Sequence, residues 1–164
     1  MRALDIVVFG RAYTPDYDLL TPPVNVFKVD QMNADLVRQT IGLPVFIEHD
    51  TRYDVGYVFD AFIDEFRNLN TFLYISGNDM VNELLPAALR EKFYTGLSMG
   101  TDVVLDERSK CYTTVAGVRP TEVSLVRTPD RPNAMIEEYW VVPRYVENKT
   151  AFVKNLTRRC ARFE

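Results

Sequence analysis

Apolar and polar residues alternate with a period of two through much of the chain, in short segments separated by turn-forming residues. The segments that read as strands are Leu4–Phe9, Val24–Val29, Leu43–His49, Val55–Ile63, Thr71–Ser76, Leu97–Leu105, Cys111–Val118 and Glu122–Arg127. Within Val55–Ile63, the residues Val55, Tyr57, Phe59, Ala61 and Ile63 fall on one face. Val58, Asp60, Phe62 and then Asp64 share the other, which predicts one wetter side. Strands at this density, mostly without long helices between them, predict a β-dominated α+β fold built on an antiparallel barrel or sandwich.

Helical spacing interrupts the strands. Asp30 is placed to cap a helix over Gln31–Ile41, with Gly42 at its end. A second helix is expected over Met80–Phe93, capped by Asn78 or Asp79, with Leu84, Leu85, Ala88 and Leu89 as its apolar stripe. Pro86 lies inside that pattern and predicts a kink or two short helices meeting there. Near the C-terminus, Phe152, Leu156, Cys160 and Phe163 recur at helical spacing, with Lys154, Arg158, Arg159 and Arg162 around them. An amphipathic helix over about 150–163 follows from that spacing. No repeat, low-complexity run or Gly/Ser linker divides the chain, so residues 1–164 read as a single domain.

Charge and composition narrow the chemistry. Nineteen basic against 23 acidic residues leave a net charge of −4, which argues against nonspecific binding of duplex nucleic acid. No apolar run approaches the roughly 18 residues of a membrane helix. Cys111 and Cys160 form no CxxC pair and cannot build a zinc site with one histidine at usual spacing. No metal ion or cofactor is therefore expected, and the thiols are expected to be reduced. The single histidine, His49, excludes any mechanism that needs two imidazoles from one chain.

Gly96-Leu97-Ser98-Met99-Gly100 spells G-x-S-x-G, the nucleophile-elbow pattern of one hydrolase class. An elbow needs a helix directly after the serine and a histidine downstream of it. Thr101–Leu105 reads as strand instead, and the only histidine lies upstream. On a strand, Gly96, Ser98 and Gly100 point to one side while Leu97 and Met99 anchor the other. The hydroxyl would then sit on a bare strip of backbone that a substrate could approach. Taken alone, the motif reads better as an ordinary exposed serine between two glycines than as a nucleophile. His49 ends a run, Leu43-Pro44-Val45-Phe46-Ile47-Glu48-His49, that looks like a buried strand with a polar exit. Its neighbours Glu48 and Asp50 face the other way on a strand, so a working imidazole needs a third group from elsewhere.

The order of three segments carries more than any of them singly. Leu43–Asp50 is followed by Val55-Gly56-Tyr57-Val58, then by Leu97-Ser98-Met99-Gly100 after a helical stretch, then by Glu122-Val123-Ser124-Leu125-Val126-Arg127-Thr128-Pro129. This arrangement, over roughly residues 40 to 135, resembles the capsid maturation proteases, meaning herpesvirus assemblins and the prohead proteases of tailed phages. The resemblance implies a serine endopeptidase on a partly open antiparallel β-barrel surrounded by helices. It matches Ser98 to the nucleophile and His49 to its base. Glu122 stands where the herpesvirus branch has a second histidine and the phage-like branch a glutamate. An ordinary strand-surface glutamate is the alternative reading of Glu122, and Ser124, on the same face, is a weaker substitute for it. For the oxyanion, the family's Gly-Arg-Arg loop matches Pro129-Asp130-Arg131, so a backbone N–H of Asp130 or Arg131 would donate and Arg131 would hold a water. Arg127 is the nearest alternative, and a solvated loop arginine is the plain reading of Arg131.

The resemblance further implies self-cleavage, homodimerisation with the C-terminal helix as one candidate face, and action on viral scaffold and capsid precursors inside the assembling procapsid. That would place it in the nucleus for a herpesvirus-like protein and in the cytoplasm for a phage-like one. The competing reading is a catalytically inactive relative serving as a structural or scaffold-binding module of the capsid.

Overall fold

The computed structural model describes residues 4–15, 24–26, 31–77, 80–108 and 112–143. Eight strands and two helices occur among them: β1 (Leu4–Tyr13), β2 (Val24–Val26), α1 (Ala34–Thr40), β3 (Pro44–Ile47), β4 (Asp50–Ile63), β5 (Leu69–Ile75), α2 (Met80–Arg90), β6 (Gly96–Arg108), β7 (Tyr112–Val126) and β8 (Ile136–Pro143). The strands form one sheet in the order β2-β7-β3-β4-β5-β1-β8, with β6 paired along β7. The sheet curls until its edges touch at one end. Gly96 bridges to Met135, Leu97 N–H donates to the Ala134 carbonyl at 2.9 Å, and Ile136 N–H donates to the Thr95 carbonyl at 2.9 Å. The result is a half-barrel that is closed where β6 begins and open beyond it.

Two parts of the expected architecture need correction. First, the sheet is mixed: β7 runs parallel to both β3 and β2, while its pairing with β6 is antiparallel. Second, among the described residues only α1 and α2 flank the sheet, so the barrel is not surrounded by helices. The sheet covers much of its own outer face with aromatic rings. Phe72 is fully buried under Phe9, Phe59 and Phe62, and Tyr74 packs with Tyr57 and Phe59. Every residue of β5 is consequently buried, on both faces of the strand.

The main core fills the curl with Ile6, Val8, Val45, Val58, Leu73, Ile75, Leu97, Val123 and Leu125, joined by Leu85 and Leu89 one turn apart on α2. Full burial of each such side chain contributes about 1.5–3 kcal/mol. α1 places Leu36 in a second cluster with Tyr13, Ala61 and Leu69. It starts later than expected, because Asn33 is the cap and its side chain accepts from the Asp35 and Leu36 amides at 3.0 Å. α2 passes through Pro86 as one helix, and Leu84, expected on its apolar stripe, is 65% exposed.

Bulges account for the remaining differences. Register shifts on β4 fall between Val58 and Asp60 against β5, and beside Val55 against β3. Each extra residue turns the following side chains to the other face, so Val55, Val58 and Ala61 go inward together and Tyr57 goes outward. A shift opposite Gly100 and Thr101 lets β7 continue past Pro120, joining two expected strands into one of 15 residues. The C-terminal helix expected at 150–163 lies outside the described residues, as do Cys111, Cys160, Asp30, Asn78 and Asp79.

Candidate active site

β6 carries Gly96, Ser98 and Gly100, β7 carries Glu122 and Ser124, the turn after β3 carries His49, and the loop after β7 carries Arg127, Asp130 and Arg131. Leu97 is buried in the core and Met99 packs against it, so Ser98 faces away from the core. Ser98 lies directly across from Ser124 on β7, and Gly100 across from Glu122. Val123 and Leu125 are fully buried inward, which leaves Glu122 and Ser124 on the same outer face as Ser98. Ser98 is the third residue of β6, and the strand runs on to Arg108 with no strand-to-helix turn after the serine.

β3 reaches this face from the other side of β7. It pairs in parallel through Val45↔Val123, Phe46↔Ser124 and Ile47↔Leu125. The strand ends at Ile47, two residues before the end expected from sequence. Ile47 pairs with Asp50, leaving Glu48 and His49 as a two-residue turn with φ of 49° and 60°. Positive φ at both central residues is the type I′ pattern, which favours Asn-Gly. Holding two residues with side chains there costs of order 1–2 kcal/mol each. Hydrogen bonds to β7 offset that strain: Glu48 N–H donates to the Leu125 carbonyl at 3.0 Å, and His49 N–H to Ser124 Oγ at 3.1 Å. A turn residue is free of strand alternation, so the His49 ring lies over β7 instead of pointing away.

The ring is held at both nitrogens. Glu122 Oε1 accepts from Nδ1, and Nε2 lies 2.9 Å from Ser98 Oγ. An ionised carboxylate only accepts, so the proton is on Nδ1 and Nε2 presents its lone pair to the serine hydroxyl. The Glu122 side chain is 10% exposed against 44% for His49. Its other oxygen, Oε2, accepts from the Ser124 hydroxyl at 2.6 Å. The hydrogen bond that His49 donates to Glu122 raises the His49 pKa above its ordinary 6.5, partial burial opposes this, and the charges of Glu122, Asp130 and Glu48 add to the rise. Neither chain neighbour orients the ring. Glu48 Oε1 accepts from Arg127 N–H at 2.7 Å, and Asp50 is held by Arg52, which pulls its pKa down to about 2.

The glycines are not a bare strip for substrate. A Cβ on Gly100 would lie 2.3 Å from Glu122 Oε1, so this glycine provides the space that the carboxylate occupies. A Cβ on Gly96 would lie 2.5 Å from the Pro129 ring and 2.8 Å from the Ala134 carbonyl. Gly96 thereby lets the 127–135 loop close against β6. In that loop Arg131 turns toward β1, with its guanidinium 4.1 Å from the Tyr13 ring centre and Nη1 donating to the Thr14 carbonyl at 2.7 Å. Arg127 stacks on Phe93 at 4.3 Å, and its amide is already given to Glu48. Asp130 is exposed and close enough for its charge to act on His49.

On sequence alone Ser124 ranks only as a substitute for Glu122. Its link between Glu122 and the His49 amide depends on the β3–β7 register, and the one local signal was that Glu122 and Ser124 share a face.

No protein-family model and no curated protein sequence matches the chain. Solved structures similar to it include the protease of KSHV in complex with a hexapeptide phosphonate inhibitor, at 14% identity and a TM-score of 0.49, covering 96% of this chain and 76% of that one. The varicella-zoster virus protease is similar at 15% identity and a TM-score of 0.37, covering 68% of this chain and 57% of that one.

Proposed function

We propose that the chain is a serine endopeptidase of the capsid-maturation kind, with Ser98 as nucleophile, His49 as general base and acid, and Glu122 as the carboxylate that orients the ring. The observation that carries this reading is the continuous contact from Ser98 Oγ through both ring nitrogens of His49 to Glu122.

A serine hydroxyl is nucleophilic only when a base takes its proton as it attacks. His49 Nε2 receives that proton while Ser98 Oγ bonds to the scissile carbonyl carbon. Glu122 keeps the Nδ1 proton in place and stabilises the imidazolium that results. Collapse of the tetrahedral intermediate breaks the C–N bond, and His49 returns the proton to the leaving amine. Water, deprotonated by the same nitrogen, then hydrolyses the acyl-enzyme. The carbonyl oxygen acquires charge in both steps and needs donors. The Asp130 and Arg131 backbone N–H groups fill this role, with the Arg131 side chain anchoring their loop to β1. Arg127 is set aside as a donor because its amide is bound to Glu48.

As a maturation protease the chain would act as a homodimer on scaffold and capsid precursors and on itself, inside the assembling procapsid. The test is incubation of the concentrated protein with a complex peptide library, reading newly formed N-termini. New termini that appear with the wild type and vanish with Ser98→Ala are expected. Their absence with the wild type, or their persistence in Ser98→Ala, would overturn the assignment.

A further inference from the structure

Ser124 is fully buried, yet its hydroxyl does not turn back on the local backbone, as a serine buried for packing alone commonly does. It spends its one proton on Glu122 Oε2 at 2.6 Å, and one lone pair on the amide of His49, 75 residues away in sequence. The two groups it touches are the carboxylate that meets the His49 ring and the backbone from which that ring projects. That backbone is strained, with His49 at φ 60°. Ser124 also lies directly across the β6–β7 ladder from Ser98, so a larger residue would press toward the reacting hydroxyl.

Building on the proposed function, we propose that Ser124 is a positioning residue that fixes the distance and angle between Glu122 and the His49 ring by holding both at once. It is not a second nucleophile, being buried, with its proton on Glu122, while the ring nitrogens are taken by Glu122 and Ser98. Nor does it substitute for the orienting carboxylate, because Glu122 already occupies Nδ1. One hydroxyl ties a left-handed turn of the β3–β4 hairpin to a side chain of β7. The geometry at the ring then does not depend on the hairpin tip alone.

The lone histidine makes the test direct, since its ring protons titrate as one assignable NMR signal. The groups that bear on that titration are Glu122, Asp130 and Glu48. In Ser124→Ala, Glu122 is expected to drift from Nδ1, and the His49 midpoint should move down toward 6.5. Labelling of Ser98 by a fluorophosphonate should slow by about tenfold or more, as for loss of a hydrogen bond to a charged group. The same substitution added to Glu122→Gln should slow labelling far less, because the partner it positions is already altered. Ser124→Thr keeps the hydroxyl and, although its added methyl presses toward Ser98, should keep the His49 midpoint nearer the wild-type value than Ser124→Ala does. Should Ser124→Ala not fold, Ser124→Cys, which fills similar space but donates weakly, reads the same titration. A His49 midpoint that stays put or rises in Ser124→Ala, or equal slowing in both backgrounds, overturns the inference. If the wild type itself resists labelling, the protease reading falls, and the titration still decides whether Ser124 places Glu122 against His49.

Discussion

Gly100→Ala places one methyl group where the structure puts the Glu122 carboxylate. The added Cβ would stand 2.3 Å from Oε1 and 2.9 Å from both Cδ and Cγ of Glu122. Ordinary van der Waals contact begins near 3.4 Å, so the carboxylate must retreat by about 1 Å. It cannot retreat while keeping its present contact with His49 Nδ1, because Gly100 and Glu122 are direct cross-strand partners in a fixed register. A misplacement of this size costs about 100-fold in rate, and complete loss of an orienting carboxylate about 10,000-fold. Slowing of Ser98 acylation between those bounds is expected, measured as the second-order rate with a fluorophosphonate. Thermal unfolding would confirm that the barrel is intact. The control is Gly96→Ala, whose Cβ meets Pro129 and the Ala134 carbonyl instead. It should disturb the 127–135 loop and slow acylation while moving the His49 titration less than Gly100→Ala does, because only Asp130 of that loop bears on the ring. A folded Gly100→Ala protein that acylates within about threefold of the wild type would refute the reasoning.

Four further outcomes follow from the structure. The base must be neutral, so Ser98 acylation should rise with pH through a midpoint above 6.5, and Glu122→Gln should lower that midpoint. A pKa raised on folding contributes stability that is fully present below about 6.5 and is lost as pH rises through the folded value. Melting temperatures of wild type and His49→Ala should therefore differ most on the acid side. Arg131→Met removes the donor to the buried Thr14 carbonyl and should cost about 1–3 kcal/mol by chemical denaturation. Asn33→Ala removes the cap of α1 and should cost about 1 kcal/mol, leaving Ser98 labelling unchanged.

Some of this site is legible without coordinates, and the reasons are local. Alternation alone puts Leu97 inward and Ser98 outward, and puts Glu122 and Ser124 on one face, because nothing interrupts the strand period between them. The hairpin that delivers His49 is not legible in the same way. Ile47-Glu48-His49-Asp50 has none of the Asn or Gly residues of a type I′ turn, and the amides that stabilise it bond to Ser124 and Leu125 on a distant strand. From sequence Gly100 reads as open backbone, because its neighbour Glu122 appears only once the β6–β7 register is known. The bulges in β4 defeated a clean alternating pattern, since one inserted residue reverses every side chain after it. β8 is hidden in the sequence because Glu137 and Glu138 interrupt its apolar run, which an edge strand paired, among the described residues, to β1 alone tolerates.

The most direct measurement is mass spectrometry of the concentrated protein after treatment with a fluorophosphonate, mapping the adduct to its residue. Stoichiometric modification of Ser98 in the wild type, abolished in His49→Ala, is the expected result. An unmodified wild-type protein, or an adduct on Ser98 that forms equally fast without the imidazole, would contradict the claim that His49 activates this serine.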